Sequence, residues 1–324
     1  MRLILLILIS VFFIKPSKAQ TIEKFSMDSG GASTLVGGIE ILYTLGEVAV
    51  QELNTGAVAV SEGFINADFK IFANLKMFLQ GPLTQADTPG LMNDNLRASG
   101  YLPIISPYRD NATCDASIFT ITGADAIVDW VWIELRGSND NTILVNGRSA
   151  LLQRDGDVVE TDGISNIVLQ ASPKDYYVIV NHRNHLGAMS LSTIGLSEST
   201  TTLIDFRDNL FLTFGTNAQT LLASGHTGLW SGDTNNTRSI TFSGANNDVN
   251  GIKDDVLLDP VNVLNLITFS SNGYLLTDLD LNGVARFSGS PNDSNIIKDN
   301  ILNHPANFLS LPTFTISSTI PNDN

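Results

Sequence analysis

The chain has 324 residues, a formal net charge of −15 and a single cysteine, Cys114. Its acidity argues against a nucleic-acid partner, because phosphate binding depends on clustered Lys and Arg. One cysteine cannot form an internal disulfide, so stability must come from burial, and 43% hydrophobic residues can supply a sizeable core.

The amino terminus has the features of a secretory signal peptide over residues 1–19. Arg2 gives a positive start, Leu3–Ile14 is an apolar run, and cleavage is expected after Ala19. The run is shorter than the roughly 20 residues that a spanning helix needs, which makes a membrane anchor the weaker interpretation. We therefore expect a protein that is secreted, extracellular or on the outer cell surface, with no transmembrane segment after cleavage.

Strand signals dominate the next two segments. Residues 20–72 combine β-branched alternation with frequent glycine, which predicts a small segment of β-hairpins. In residues 73–200, Ile127–Leu135 alternates along a strand and Tyr176–Val180 is a short apolar run typical of a buried strand. The sequence predicts a mainly β protein whose middle domain is an antiparallel β-sandwich.

The carboxy-terminal region, 201–324, contains an internal repeat. Ser231–Leu257 aligns with Leu276–Leu302 at a constant offset of 45 residues and without a gap. A register held over this length indicates a duplicated structural unit. We place the two repeats at about 228–262 and 273–307, each with a short helix.

The second repeat begins like an EF-hand calcium loop. The pattern D-x-[DN]-x-[DN]-G starts at Asp278, but the twelfth position, where a closing carboxylate belongs, is Gly289. A longer loop would let Asp293, at the start of a predicted helix, close the site. A turn rich in Asp and Asn that binds no ion is the alternative. The predicted calcium ligands are oxygen-bearing groups: Asp278, Asp280, Asn282, the backbone carbonyl of Val284, and Asp293.

The first repeat offers a poorer version of the same loop. Arg238 stands where the second repeat has a glycine, and it brings a positive charge toward any ion. A degenerate copy with only a structural role is as plausible as a second calcium site. Its candidate ligands are Asp233, Asn235, Thr237 and Asp248.

Several stretches resemble a known module. They are "LKMFLQGP" (Leu75–Pro82), "DAIVDWVWIELR" (Asp125–Arg136), "YYVIVNHRNHLGAMS" (Tyr176–Ser190) and the paired "FSGANND" and "FSGSPND" of the repeats. Together they resemble a hemagglutinin-like or dockerin-like module of secreted and surface proteins of Bacteroidota-type bacteria. The resemblance implies a β domain followed by tandem dockerin-like calcium loops, and it implies no settled activity. That family has glycine at the position of Arg238, which weakens the first metal site further.

No catalytic constellation is found in the sequence. There is no G-x-S-x-G elbow and no H-E-x-x-H helix. His182 and His185 are three residues apart, so on a continuing strand they would face opposite ways and could not share an ion. With Arg183 between them, they are expected to make structural hydrogen bonds to backbone or carboxylate groups.

Two functions remain open from the sequence. The first is a non-catalytic secreted or cell-surface protein, stabilised by calcium, that serves adhesion, display or assembly and has a surface protein or a glycan as its partner. The alternative is a carbohydrate-binding module or carbohydrate-active protein that uses Trp130 and Trp132, which share a strand face. These tryptophans would stack on sugar rings if exposed, or fill a core if buried.

Overall fold

The computed structural model describes residues 69–323 and, before them, four short strands. The predicted signal peptide, 1–19, lies outside the described residues. The chain divides into two compact units, Met1–Asp68 and Phe69–Asn324. In the first unit, β1 (Gly31–Val36) pairs with β2 (Ile39–Thr44) and β3 (Gln51–Asn54) pairs with β4 (Ala59–Glu62), both antiparallel, as expected for hairpins.

The second unit is built on one nine-stranded sheet. The hydrogen-bonded order is β11-β10-β6-β7-β8-β5-β13, with β12 also on β10 and β9 also on β5. Every pair is antiparallel except β13 with β5. The strands are β5 (Ile71–Lys76), β6 (Ile127–Gly137), β7 (Leu144–Gln153), β8 (Asp157–Val159), β9 (Ile167–Leu169), β10 (Lys174–His182), β11 (His185–Met189), β12 (Ile194–Leu196) and β13 (Thr202–Asp205).

The sheet curls, so that β5, near one end of the strand order, meets the chain after β12, near the other end. The backbone N–H of Phe72, in β5, donates to the carbonyl of Ser197, directly after β12, at 3.2 Å. A sandwich predicts two separate sheets, whereas these strands form a single hydrogen-bonded set. The protein is mainly β, as the alternation of its strand segments predicts, and its helices are few and short.

The core lies around β6, which is buried on both faces from Ile127 to Arg136. Trp130 is 0% exposed and donates its indole N–H to the carbonyl of Pro103, and Trp132 is 6% exposed and donates to Glu134. Both indoles therefore fill the core, and neither offers an open ring face to a sugar.

The two repeats fold alike, element for element. The single-turn helix α1 (Asn95–Ala98) and the hairpin of β14 (Gln219–Leu221) and β15 (Thr227–Leu229) precede the repeats. Within the repeats, each element of the first copy has a counterpart in the second copy at an offset of 45 residues. The structural unit therefore runs past the predicted ends near 262 and 307. The first copy contains β16 (Ser239–Thr241), α2 (Asp248–Leu258) and β17 (Ser270–Asn272), and the second contains β18 (Val284–Arg286), α3 (Asp293–Asn303) and β19 (Thr315–Ser317).

The copies exchange their last strands. β17 of the first copy pairs with β18 of the second, and β19 of the second pairs with β16 of the first. Two side-chain hydrogen bonds of 2.8 Å also connect the two copies. They run from Ser243 Oγ to the Pro312 carbonyl and from Ser288 Oγ to the Ile267 carbonyl. Because each copy needs the other to complete its strand pairs, the repeats form one folding unit.

Asn residues cap both repeat helices. The side-chain oxygen of Asn247 accepts the N–H of Asn250 at 3.0 Å, and that of Asn292 accepts the N–H of Asn295 at 2.8 Å. An N-cap of this kind satisfies one of the free amides of the first turn. The next residue of each helix carries a buried carboxylate that faces back into the loop before it.

The nine-stranded sheet packs tightly against the second repeat at Gly81. This glycine lies in a 3-10 turn (Gly81–Leu83), and a Cβ added to it would lie 1.9 Å from the Leu279 carbonyl oxygen and 3.1 Å from His185 Nε2. Only a residue without a side chain allows the two backbones to approach this closely.

Gly81→Ala is predicted to destabilise the second unit by roughly 3 kcal/mol, the upper part of the usual range for overpacking, because the clash is with a backbone carbonyl. Urea unfolding of the full chain measures the loss. Gly195→Ala is the control, since its added Cβ meets only Asp175 Oδ1, at 3.2 Å. Similar losses in both variants would contradict the close approach at Gly81.

Candidate cation site and the polar network behind it

Three carboxylates of the second repeat converge. Ligand oxygens of Asp278, Asp280 and Asp293 all lie within 4.8 Å of one another, and this group could hold a metal ion. Asp278 and Asp293 are buried and Asp280 is half-buried. The loop carries the first two, and the first turn of α3 carries the third, so the late closing position predicted at Asp293 does meet the loop.

Backbone amides hold these carboxylates in place. Asp278 accepts the N–H groups of Asn282 at 3.0 Å and Gly283 at 2.8 Å. Asp293 accepts those of Leu279 and Arg286, both at 2.8 Å, and so joins the two ends of the loop. The loop is therefore ordered by the same side chains that offer oxygens to an ion.

Asn282 adds an oxygen that the protein does not use. Its Nδ2 donates to Asp280 Oδ2 at 2.9 Å, while its Oδ1 is buried and has no hydrogen-bond partner. A buried acceptor left without a partner costs free energy unless something else supplies the interaction. Val284, whose backbone carbonyl is the remaining predicted ligand, is the first residue of β18.

Burial opposes the negative charge of the cluster. It raises the pKa of Asp278 well above the usual value, and the charges of Asp293 and Asp280 raise it further. Burial, followed by the charge of Asp280, raises the pKa of Asp293 to about 7. Burial likewise raises the pKa of Asp280. A cation among these oxygens would offset both the desolvation and the repulsion.

The first repeat has the same backbone pattern around its two carboxylates. Asp233 accepts the N–H groups of Thr237 at 3.0 Å and Arg238 at 2.9 Å, and Asp248 accepts those of Thr234 at 2.9 Å and Thr241 at 2.7 Å. Burial raises the pKa of Asp233 to about 6 and also raises that of Asp248. The loop framework thus forms in both copies.

The first loop differs in how its oxygens are used. Asn235 replaces the third carboxylate, and its Oδ1 accepts the hydroxyl of Thr237 at 2.7 Å. Within residues 69–323, the only three acidic, His or Cys side chains placed to hold a metal ion together are those of the second repeat. Arg238 has a φ of +61° and turns its guanidinium to Asn322 and the Ile320 carbonyl, so it does not neutralise the loop.

Behind both loops lies the tip of the β10–β11 hairpin. His182 and His185 face each other across a two-residue turn, with their Nδ1 atoms 3.0 Å apart. The strand does not continue, so the condition for opposite-facing side chains is not met: β10 ends at His182 and the chain reverses. The polar pair Arg183-Asn184 between two apolar runs is the signal that could have shown the turn.

Hydrogen bonds assign a proton to each histidine. The Gly81 N–H donates to His185 Nε2 at 3.1 Å, which leaves the proton of His185 on Nδ1. This Nδ1–H faces two acceptors, Asn184 Oδ1 at 2.8 Å and His182 Nδ1 at 3.0 Å. His182 donates from Nε2 to Asp129 at 3.1 Å. Each ring thus has one donor and one acceptor nitrogen, as a neutral imidazole does, and burial lowers the pKa of both histidines.

Asp129 receives four donors at the centre of this network. They are the Trp130 N–H at 2.7 Å, Arg183 Nε at 2.9 Å, the Tyr274 hydroxyl at 2.6 Å and His182. Burial alone would raise the Asp129 pKa, but Arg183 and the other donors hold it at about 2. The expected structural role of Arg183 is confirmed, since it also donates to the Leu275 carbonyl before the second loop.

Comparisons with family models, with curated proteins and with solved structures give no match. Among the described residues, no helix has the length and apolar character needed to cross a membrane.

Asp293→Asn is predicted to change how stability depends on pH when cations are removed. The Asp293 pKa is about 7 in the folded protein and about 4 in an unfolded chain. Its favourable contribution is therefore complete below about pH 4 and is lost as pH rises through about 7. Because Asn does not titrate, the variant should gain stability relative to the wild-type protein over this window, as measured by urea unfolding in chelator.

Losing a hydrogen bond that Asp293 accepts from a backbone N–H would lower the stability of the variant equally at every pH. The electrostatic gain instead grows as pH rises, so the two effects can be told apart. The buried histidines are present in both proteins, so their effect cancels in the difference. Two stability curves that stay parallel from about pH 4 to 8 would show that Asp293 is not destabilised by its charge.

Proposed function

We propose that the loop of the second repeat binds calcium and that the protein is a non-catalytic secreted or cell-surface protein stabilised by this ion. The observation that carries the proposal is a buried, unpartnered Asn282 oxygen beside three converging carboxylates. A site made of oxygens, with excess negative charge and a missing hydrogen-bond donor, has the chemistry that a hard cation requires.

The kind of donor favours calcium over other metals. The side-chain donors of the loop are carboxylate and amide oxygens, whereas zinc and copper prefer nitrogen and sulfur. Magnesium demands a small octahedral site and keeps several waters, while calcium accepts six to eight oxygens in a flexible arrangement. Calcium accepts carboxylates through one or both oxygens, so it tolerates a closing carboxylate, Asp293, whose two oxygens also accept backbone N–H groups.

The strand exchange supports a dockerin-like role for the pair of repeats. Each loop leads into a strand that pairs with the other copy, so an ion that fixes the second loop also fixes β17 and, through it, the first copy. We propose that the ion makes the carboxy-terminal region rigid outside the cell and that the protein serves adhesion, display or assembly. The burial of Trp130 and Trp132 removes the feature on which the carbohydrate alternative rested.

Calcium is predicted to raise the melting temperature of the full chain. At 100 times the Kd, binding to the folded form alone stabilises by about 2.7 kcal/mol, which corresponds to roughly 5–10 °C for a unit of this size. Thermal unfolding in chelator, in calcium and in magnesium measures the gain, which should be largest in calcium.

Asp280→Asn gives the sharpest test, because the first repeat already carries Asn at the equivalent position, Asn235. In chelator the variant should be more stable than the wild-type protein, since one of three repelling carboxylates is gone. Its calcium affinity should fall by at least roughly tenfold, as for lesser changes around a bound metal. The stability gained on adding calcium should therefore be smaller in the variant than in the wild-type protein.

Asp254→Asn is the matched control, because it removes one negative charge from a side chain that is 61% exposed on α2. It should leave the calcium gain unchanged. A wild-type protein whose melting temperature is the same in chelator and in saturating calcium would refute the proposed function.

A further inference from the structure

We propose that Asn184, at the tip of the β10–β11 hairpin, is a positioning residue that holds the first candidate ligand residue of both loops and couples them. The inference rests on the proposed calcium function and adds a residue from outside the repeats. Asn184 is 0% exposed, although it lies at the turn of a hairpin.

The side chain of Asn184 holds the second loop. Its Nδ2 donates to the carbonyl of Leu276 at 2.9 Å and to the carbonyl of Asp278 at 2.8 Å. These bonds use both amide hydrogens and fix the backbone of the residue that opens the site. The position of the Asp278 carboxylate depends on this backbone, because the carboxylate reaches the cluster from there.

The backbone of Asn184 holds the first loop. Its carbonyl accepts the N–H of Gly232 at 3.0 Å and the N–H of Asp233 at 3.2 Å. Asp233 is the counterpart of Asp278 in the first copy. One residue therefore binds the opening position of both loops, through its side chain on one side and its main chain on the other.

The polar network sets the orientation of the Asn184 amide. His185 carries its proton on Nδ1, because its Nε2 accepts from Gly81, and this Nδ1 lies 2.8 Å from Asn184 Oδ1. Oδ1 is thereby the acceptor, and Nδ2 must face the two carbonyls. The neutral histidine pair thus orients the group that positions the cation loop.

A displacement of Asp278 on cation binding would therefore reach the first loop through the buried Asn184, in addition to the route through the β17–β18 pairing. Coupling of this kind requires a contiguous set of packed and hydrogen-bonded groups, and here that set consists of Asp278, Asn184 and Asp233. The first loop needs no ion of its own to respond.

Asn184→Ala is predicted to lower calcium affinity by about 10–100-fold, the range found when a hydrogen-bonding partner of a metal ligand is lost. Asn262→Ala is the matched control. Asn262 is also buried, and its Nδ2 also donates to two carbonyls, those of Val256 and Leu266, but it contacts neither opening residue. Calorimetric titration of each full chain with calcium should show the loss in the first variant and a change within about twofold in the second.

Equal affinity losses in both variants, or an unchanged affinity in Asn184→Ala, would overturn the inference while leaving calcium binding intact. A wild-type chain that binds no calcium would instead overturn the proposed function. If Asn184→Ala does not fold, amide NMR of the wild-type protein decides. The Gly232 and Asp233 resonances should shift with the same calcium dependence as Gly283, and unmoved resonances would refute the coupling.

Discussion

The repulsion among three carboxylates in a buried loop is the constraint on which the carboxy-terminal half depends. Asp278, Asp280 and Asp293 cannot move apart, because backbone amides at both ends of the loop hold them. Burial removes the water that would screen them, and it raises the pKa of all three. Folding the loop without an ion therefore costs electrostatic free energy, and a bound cation would offset this cost.

Three sets of contacts from the rest of the second unit hold this loop in place. The exchanged strands join it to the other repeat, Gly81 lets the nine-stranded sheet approach the Leu279 carbonyl, and Asn184 fixes the opening residue. Behind Asn184, four donors hold the Asp129 carboxylate in its charged form, while burial lowers the pKa of both histidines. The Nη2 atom of Arg183 is buried in this network without a hydrogen-bond partner.

The sequence allowed the site to be predicted better than its surroundings. The offset of 45 residues is a local property that survives in any fold, and it led to Asp293 without knowledge of the structure. The partners of Asp129 could not be predicted, because His182 lies 53 residues away and meets it only once β6 and β10 pair. The strand exchange was also invisible, since pairing within a copy and pairing between copies leave the same pattern in the chain.

Diffraction from crystals grown with calcium would show whether a divalent cation completes the second loop. We expect a density peak about 2.3–2.6 Å from oxygens of Asp278, Asp280 and Asp293, with the side-chain oxygen of Asn282 turned toward it. An ordered loop with a water molecule or no density at that point, in saturating calcium, would show that no cation binds there.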